Sequence, residues 1–303
     1  MPAGRTLQRM RFTKAHGTGN DFVVLADLED RLDVSAGLVR ALCDRRHGVG
    51  GDGVLRLGAP PEGADVFMDY RNADGTAVEM CGNGVRVVAK HLVDHGLVPG
   101  SAQTVQVATR SGIKSVRVER DEQGRLRQAT VDMGEPILVP EQVPFLADPG
   151  DQDALEHEVV VDGALVRFGV VSMGNPHAVL EVDDVGVAPV AALGPRLEHH
   201  ECFPNKVNVG FAEVVAVDEI RLRVWERGVG ETAACGTGAC AAVVALQRRG
   251  RVGETVDVRL PGGTLTIRHA SGGTVLLTGP AVEVAHGELD DAWVAASREG
   301  VTP

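Results

Sequence analysis

The sequence lacks the features that would place the chain in a membrane or against nucleic acid. No apolar run approaches the roughly 20 residues that a helix needs to span a bilayer. The start, MPAGRTLQRMRF, has no apolar stretch typical of a secretory signal, so we expect none. Positive charge is also in deficit, since 30 Lys and Arg stand against 42 Asp and Glu and leave a net charge of −12. Such a charge argues against a nucleic-acid partner.

Cysteine is scarce as well. Five cysteines in 303 residues do not form a disulfide framework and are more typical of reduced thiols in the cytoplasm. No C-x-x-C pair is present, and we expect no metal site, from cysteines or from paired histidines. Three of the five are expected to be small core residues: Cys43, Cys202 and Cys240.

What the sequence does contain is a repeat. EMCGNGVRVVAKHLVDHG and AACGTGACAAVVALQRRG both read Cys-Gly-x-Gly, then a mostly apolar helical run, then Gly. Their cysteines, Cys81 and Cys235, lie 235 − 81 = 154 positions apart, and the Asn residues of GNDFVVL and GNPHAVL lie 175 − 20 = 155 apart. Two segments with nearly the same offset indicate a duplicated domain.

The periodicity predicts an α/β fold. Short β-branched runs that read as strands outnumber the helical patterns, and one prominent helix follows each Cys-Gly-x-Gly. We therefore expect two pseudo-symmetric domains, each a barrel-like sheet around a central helix. The segment Met133–Asp153, rich in proline and acidic residues, would connect them. GVGGDG, at 48–53, matches the dinucleotide-binding pattern but follows a helical pattern and precedes a strand, so we predict a loop.

A cysteine at the first turn of a helix lies beside unpaired backbone N–H groups at the positive end of the dipole. Such a position lowers the thiol pKa and can also hold an anion. If the two halves face each other, a carboxylate can bind between both helix ends with one sulfur on either side. That arrangement suits inversion of an amino-acid α-carbon, which needs an acid and a base on opposite faces. On oxidation the same two thiols could form an inactive disulfide.

Five motifs make the sequence closely resemble the diaminopimelate epimerases: HGTGNDF, RNADGTAVEMCGNG, VSMGNPHAV, NVGF and ERGVGETAACGTGACA, which span about residues 11–241 in this order. The resemblance implies two similar α/β domains with the site in the cleft between them, at 10–131 with a returning strand near 281–296, and at 132–280. It also implies a cytoplasmic homodimer that interconverts LL- and meso-2,6-diaminopimelate for lysine and peptidoglycan synthesis. Neither pyridoxal phosphate nor metal is implied.

By this resemblance Cys81 and Cys235 are the two acid/base residues, and Glu226 and His177 tune the thiol pKa values. Backbone N–H groups at four positions would hold the reacting carboxylate: Gly82, Asn83, Gly236 and Thr237. Arg227 would bind the distal carboxylate, and Glu226 would pair with an ammonium. Four side-chain amides would complete the pocket: Asn20, Asn72, Asn175 and Asn208.

Two positions depart from the family pattern. Gly53 stands where some members carry glutamine, and Trp225 where tyrosine is more common. Residues before about Arg11 form an extension with no assigned role. Rival functions on the same fold are proline, hydroxyproline or histidine racemisation, although CGNG and the distal-end residues argue against them. A silent binding protein would be expected to have lost a cysteine, and a pyridoxal-phosphate racemase would need a Schiff-base lysine in a recognisable motif.

Overall fold

The computed structural model describes residues 9–147, 150 and 154–298. Most of the N-terminal extension and part of the predicted connection therefore lie outside the described residues. The chain divides into two compact units. The first contains the residues up to Gly17, Asp21–Ala129 and the residues from Ala281 onward, and the second contains Thr18–Asn20 and Thr130–Pro280.

The elements up to residue 132 are β1 (Arg11–Gly17), β2 (Asn20–Ala26), α1 (Ala36–Cys43), β3 (Gly53–Gly58), β4 (Val66–Asn72), β5 (Ala77–Val78), α2 (Gly82–Asp94), β6 (Thr104–Thr109), β7 (Gly112–Arg120) and β8 (Leu126–Asp132). After a 3₁₀ turn at Pro140–Gln142 come β9 (His157–Val161), β10 (Ala164–Ser172), β11 (Pro176–Glu181), α3 (Val190–Glu198), β12 (Asn208–Ala216), β13 (Glu219–Glu226), β14 (Gly230–Thr232), α4 (Gly236–Arg248), β15 (Thr255–Leu260), β16 (Gly263–His269) and β17 (Val275–Gly279). The last two elements of the described residues are β18 (Val282–Glu288) and α5 (Asp291–Arg298).

The two units repeat one series of strand pairings. In the first unit β2 pairs parallel with β3, β3 pairs antiparallel with β4, and β4 pairs antiparallel with β5 and parallel with β6. The second unit repeats these four pairings in the same directions, with β11 parallel to β12, β12 antiparallel to β13, and β13 antiparallel to β14 and parallel to β15. The register repeats too, because Phe22 opposes Gly53 and His177 opposes Asn208, each shifted by 177 − 22 = 208 − 53 = 155 positions. This repeated topology is what a duplicated domain predicts.

Each unit has one helix at its centre. In α2 every residue except Lys90 and Asp94 is buried, and α2 packs against β1, β3, β4, β6, β7 and β18. Ten of the 13 residues of α4 are buried, and α4 packs against β10, β11, β12, β13, β16 and β17. A helix that is apolar on most of its circumference is stable only in a core. The predicted α/β units, with strands around a central helix, are confirmed.

The first five residues of GVGGDG, 48–52, form a loop, as predicted, and the sixth begins β3. α1 ends at Cys43, and β3 begins only at Gly53. Lys14 fixes the loop, since its ammonium donates to the carbonyl of Gly50 and lies 2.5 Å from Asp21 Oδ2.

Candidate active-site residues

Cys81 is the N-cap of α2. Its backbone is extended, with φ −144° and ψ 115°, and its Sγ accepts a hydrogen bond from the Gly84 backbone N–H at 3.4 Å. Gly84 packs closely against β3, since a Cβ there would lie 3.2 Å from the Leu55 side chain. The sulfur therefore lies at the N-terminal end of the α2 dipole, beside the first-turn N–H groups.

The first-turn residue Asn83 is buried, and its side chain is used inside the protein. Its Oδ1 accepts a 2.5 Å hydrogen bond from Nη2 of Arg86, which is fully buried one turn further along α2. This contact orients the Asn83 side-chain carbonyl toward the guanidinium. Gly82 is the first residue of α2, and Asn20 begins β2.

Asn72 ends β4, and its amide is fixed by its neighbours. Tyr70 donates from its hydroxyl to Asn72 Oδ1 at 2.9 Å, and Asn72 Nδ2 lies 3.4 Å from Thr76 Oγ1. Gly53 lies opposite Asn72 on β3, and a Cβ there would come within 2.6 Å of the Tyr70 ring. Gly53 thus makes room for Tyr70, which gives a physical reason for the glycine at this position.

Cys235 is the N-cap of α4 in the second unit, and it is buried. Burial and the negative charge of Glu226 raise its pKa well above the usual value; contacts with the Thr237 hydroxyl and the Gly238 N–H oppose this rise but are outweighed. Glu226 also accepts a hydrogen bond that favours the protonated thiol. The expectation that a helix N-terminus lowers the thiol pKa is therefore wrong for Cys235, because desolvation of the thiolate is the larger effect.

Thr237 lies beside this thiol, with Oγ1 3.6 Å from Cys235 Sγ. Glu226 is held on its other side by the Thr232 hydroxyl, which donates to Oε1 at 2.5 Å. Gly236 is the first residue of α4. Three of the predicted residues of this unit, Cys235, Glu226 and Thr237, are thus in one group around the sulfur.

His177 is completely buried at the start of β11, and burial together with the nearby charge of Arg227 lowers its pKa to about 3. It is therefore a neutral imidazole at physiological pH. Its Nε2 lies 3.1 Å from Asn175 Oδ1, while its buried Nδ1 has no hydrogen-bond partner among the described residues. With the proton on Nε2, Nδ1 is an open acceptor. That His177 tunes the thiols stays a prediction.

Asn208 joins two strands of the second unit. Its Nδ2 donates to the Pro176 carbonyl at 2.9 Å, and its Oδ1 accepts from the Arg227 backbone N–H at 2.9 Å. The Arg227 side chain is exposed and donates from Nη1 to the Asn205 carbonyl. Asn208 therefore positions Arg227 by binding the backbone N–H of Arg227.

Sequence comparison identifies the family. The model described as diaminopimelate epimerase matches residues 12–139 and 169–284, which include both capping cysteines. The chain belongs to the diaminopimelate epimerase family. The prediction of an isomerase of this class is confirmed by that membership.

Individual family members are similar over nearly their full length. A diaminopimelate epimerase from Alkalilimnicola ehrlichii is 49% identical over 284 residues, covering 93% of this chain and 99% of that protein. One from Ectopseudomonas mendocina is 48% identical, covering 92% and 99%. One from Leptospira biflexa is 43% identical, covering 93% and 99%.

Solved structures show that diaminopimelate epimerase relatives share this fold with other enzymes. A hydroxyproline epimerase from Agrobacterium vitis, solved with trans-4-hydroxy-L-proline bound, superposes with a TM-score of 0.68 at 18% identity, covering 97% of this chain and 99% of that one. A protein from Pseudomonas aeruginosa described as a predicted epimerase gives a TM-score of 0.64 at 20% identity, covering 92% and 99%. At these identities the likeness concerns the fold alone. Within the described part of the chain, no helix has the length and apolarity to cross a membrane.

The diaminopimelate epimerase motifs in the sequence did not reveal the residues that position the site residues. Glu198, buried at the end of α3, accepts from Trp225 Nε1 at 2.7 Å and from the Gly228 backbone N–H at 2.9 Å. The Trp225 indole packs over Gly194, where a Cβ would lie 2.6 Å from the ring. Trp225 therefore anchors the turn that carries Arg227. The available sequence signal was Glu198 itself, an acidic residue four positions after Gly194 on the same helix.

Proposed function

We propose that this chain epimerises LL-2,6-diaminopimelate to meso-2,6-diaminopimelate, with the thiols of Cys81 and Cys235 as its acid/base pair and without pyridoxal phosphate or metal as cofactor. The equivalent placement of these two thiols carries the proposal. Each caps the buried central helix of its unit, 154 positions apart, in a chain of this family. A duplicated domain that retains a thiol at both equivalent positions is suited to a reaction that needs two similar groups.

The reaction inverts one α-carbon by moving two protons. One thiolate removes the α-proton from one face, and the electron pair of the broken C–H bond passes into the carboxylate. The other thiol then donates its proton to the opposite face and forms the new C–H bond. The two sulfurs have exchanged protonation states at the end, so the same site works in both directions.

In this proposal Cys235 carries its proton in the resting protein, because burial and Glu226 raise its pKa. Once it has donated that proton, its thiolate is a strong base. Strong basicity is an advantage against a weakly acidic α-proton in the reverse direction. In this proposal Cys81, with its Sγ facing the Gly84 N–H, starts as the thiolate in the forward direction.

In this proposal both helix ends contribute to binding the reacting carboxylate. Its negative charge increases when the α-proton leaves, and fixed N–H dipoles stabilise that added charge more than the ground state. The donors would be the first-turn N–H groups of Gly82, Asn83, Gly236 and Thr237.

The distal end of the substrate would be bound by polar side chains. Arg227 would bind the distal carboxylate, with its backbone fixed by Asn208, and Glu226 would face an ammonium. Asn20, Asn72 and Asn175 would supply the remaining amides. The predicted domain bounds, the homodimer and the cytoplasmic location belong to the same proposal, and sedimentation velocity would check the dimer.

A conversion assay tests this function. Purified, reduced protein is incubated with LL-diaminopimelate in the presence of a chelator, with and without pyridoxal phosphate, and the isomers are separated by chiral chromatography. Formation of the meso isomer at the same rate in both samples is expected. No conversion by protein with free thiols would contradict the substrate assignment, and proline, hydroxyproline and histidine would then be assayed in the same way.

A further inference from the structure

A second cluster of titratable side chains lies at the C-terminal end of α2, away from Cys81. His91 and His95, one turn apart, both contact Glu283 of β18. His91 Nδ1 is 2.8 Å from Glu283 Oε1, and His95 Nε2 is 3.1 Å from Oε2. One nitrogen or oxygen from each of the three residues lies within 4.8 Å of the other two. None of the three takes part in the reaction proposed above.

An irregularity in β18 brings a third histidine to the same side. Lys14 of β1 opposes Ala285 and Ala15 opposes Glu283, so Val284 is an extra residue in the pairing. Residues three apart on a regular strand point to opposite faces, and one extra residue reverses that relation. His286 accordingly lies near Glu283, with Nε2 3.6 Å from Oε2. The Thr13 hydroxyl, 3.0 Å from His286 Nδ1, fixes the ring in that orientation.

The donor set is that of a zinc-type site. Two imidazole nitrogens and a carboxylate oxygen, with one position left for water or a further ligand, are typical ligands of Zn²⁺ and of neighbouring transition metals. Ligand atoms around tetrahedral zinc lie roughly 3.3 Å apart. The two His–Glu283 contacts, at 2.8 and 3.1 Å, are already close to that separation.

Charge and access also favour a cation. Glu283 supplies the carboxylate of the cluster, and each of its two oxygens faces one of the two histidines. The negative end of the α2 dipole lies at the same place. His91, His95 and His286 line an open cleft of about 1400 Å³, through which a hydrated ion can reach them.

We propose that His91, His95 and Glu283 bind one divalent transition-metal ion of the zinc type, which ties β18 to α2 and so fixes the C-terminal strand in the first unit. His286 stands beside the remaining coordination position. The expectation of no metal depended on the absence of both C-x-x-C and paired histidine spacing, and it overlooked His91 and His95, which are four residues apart. The alternative occupant is a proton, with the histidines and Glu283 paired as ions only.

Metal titration of the full-length chain distinguishes a bound metal ion from an ion pair between protonated histidines and Glu283. The catalytic thiols compete for zinc, so the background is a Cys81→Ser/Cys235→Ser variant without a histidine tag. Isothermal titration with Zn²⁺, and the visible absorption of Co²⁺ as a probe of coordination, are measured in this background. We expect one saturable site per chain and an increase in Tm with Zn²⁺ that a chelator reverses.

Variants assign the ligands. His95→Gln changes a half-exposed residue and Glu283→Gln keeps the side-chain shape; each should weaken binding by about 100-fold or more. His47→Gln is the matched control, since His47 is exposed in the same unit beside Asp44. Absence of a saturable site, or binding that His95→Gln and Glu283→Gln leave unchanged, would overturn the proposal. Weakening of metal binding by the same factor in His47→Gln would also overturn the proposal.

Discussion

The Tyr70 hydroxyl donates a 2.9 Å hydrogen bond to Asn72 Oδ1 at the end of β4. The ring fits because Gly53 has no side chain; a Cβ there would lie 2.5 Å from the Arg71 carbonyl oxygen and 2.6 Å from Tyr70 Cε2. The equivalent position of the second unit holds Asn208, since 208 − 53 = 155. The two halves therefore support their site residues by different means, one with a tyrosine and the other with an asparagine.

Tyr70→Phe should raise KM for diaminopimelate up to about tenfold with little change in kcat. The variant removes one hydrogen bond, worth about 1 kcal/mol, and leaves the packing intact. Steady-state kinetics measure the effect. An unchanged KM in Tyr70→Phe would show that substrate binding does not depend on this hydrogen bond to Asn72.

Gly53→Ala should instead destabilise the fold by about 1–3 kcal/mol through overpacking. Gly100→Ala, where no atom lies within 4 Å of the new Cβ, is its control.

Gly238→Ala should lower kcat by up to about 10²-fold while the fold is kept. The added Cβ would lie 3.3 Å from Cys235 Sγ and 3.1 Å from the Val224 side chain, so the sulfur must move. Small displacements of a reacting group are costly to the rate. Gly253→Ala is the control, because its nearest neighbour is at an ordinary 3.6 Å. Circular dichroism checks folding, and a kcat equal to that of the control would count against the assigned role of Cys235.

Glu226→Gln should accelerate alkylation of Cys235 by iodoacetamide near pH 8. Glu226 raises the pKa of this thiol by its charge and by accepting a hydrogen bond, so its removal lowers the pKa and increases the thiolate fraction. Each unit of decrease gives about tenfold more thiolate below the pKa. Site-resolved mass spectrometry measures the rate without substrate, with the exposed Glu254→Gln as control. A slower or unchanged rate in Glu226→Gln would refute this electrostatic effect.

Glu198→Gln should raise KM more than it lowers kcat. Its carboxylate accepts from both Trp225 Nε1 and the Gly228 N–H, and an amide cannot accept on both sides, so the turn with Arg227 loosens. The lost buried hydrogen bond should also cost about 1–3 kcal/mol of stability. Trp225 fluorescence in a Trp293→Phe background follows the turn. Glu201→Gln, at an exposed position, is the control and should behave like wild type. A KM that stays unchanged in Glu198→Gln would show that the Glu198 contacts do not position Arg227.

The central helices could be predicted because their signals are local. α2 and α4 begin directly after Cys81 and Cys235, where glycines and apolar periodicity occur together in both copies. α3 could not be predicted in the same way, because Pro195 lies inside it and is unfavourable for a helix. Packing against β12 and β13 stabilises it instead.

The electrostatics of the site depend on contacts between residues distant in sequence. The raised pKa of Cys235 follows from its burial and from the charge of Glu226, which no local pattern encodes. Likewise, the bond from Arg227 to Asn208 needs the register of β12 against β13. The sequence could place both residues in the site but not show that one holds the other. The roles of the site residues and the domain bounds stay predictions.

The most direct test of the two-thiol account follows deuterium during the first turnovers. LL-diaminopimelate is converted in deuterium oxide by wild type, Cys81→Ala and Cys235→Ala, and the label in substrate and product is measured by NMR. With two bases on opposite faces, the early meso product should carry deuterium at the inverted carbon while the remaining substrate carries almost none. Each variant should lose epimerisation. Equal early labelling of substrate and product, or epimerisation that survives either substitution, would contradict the account.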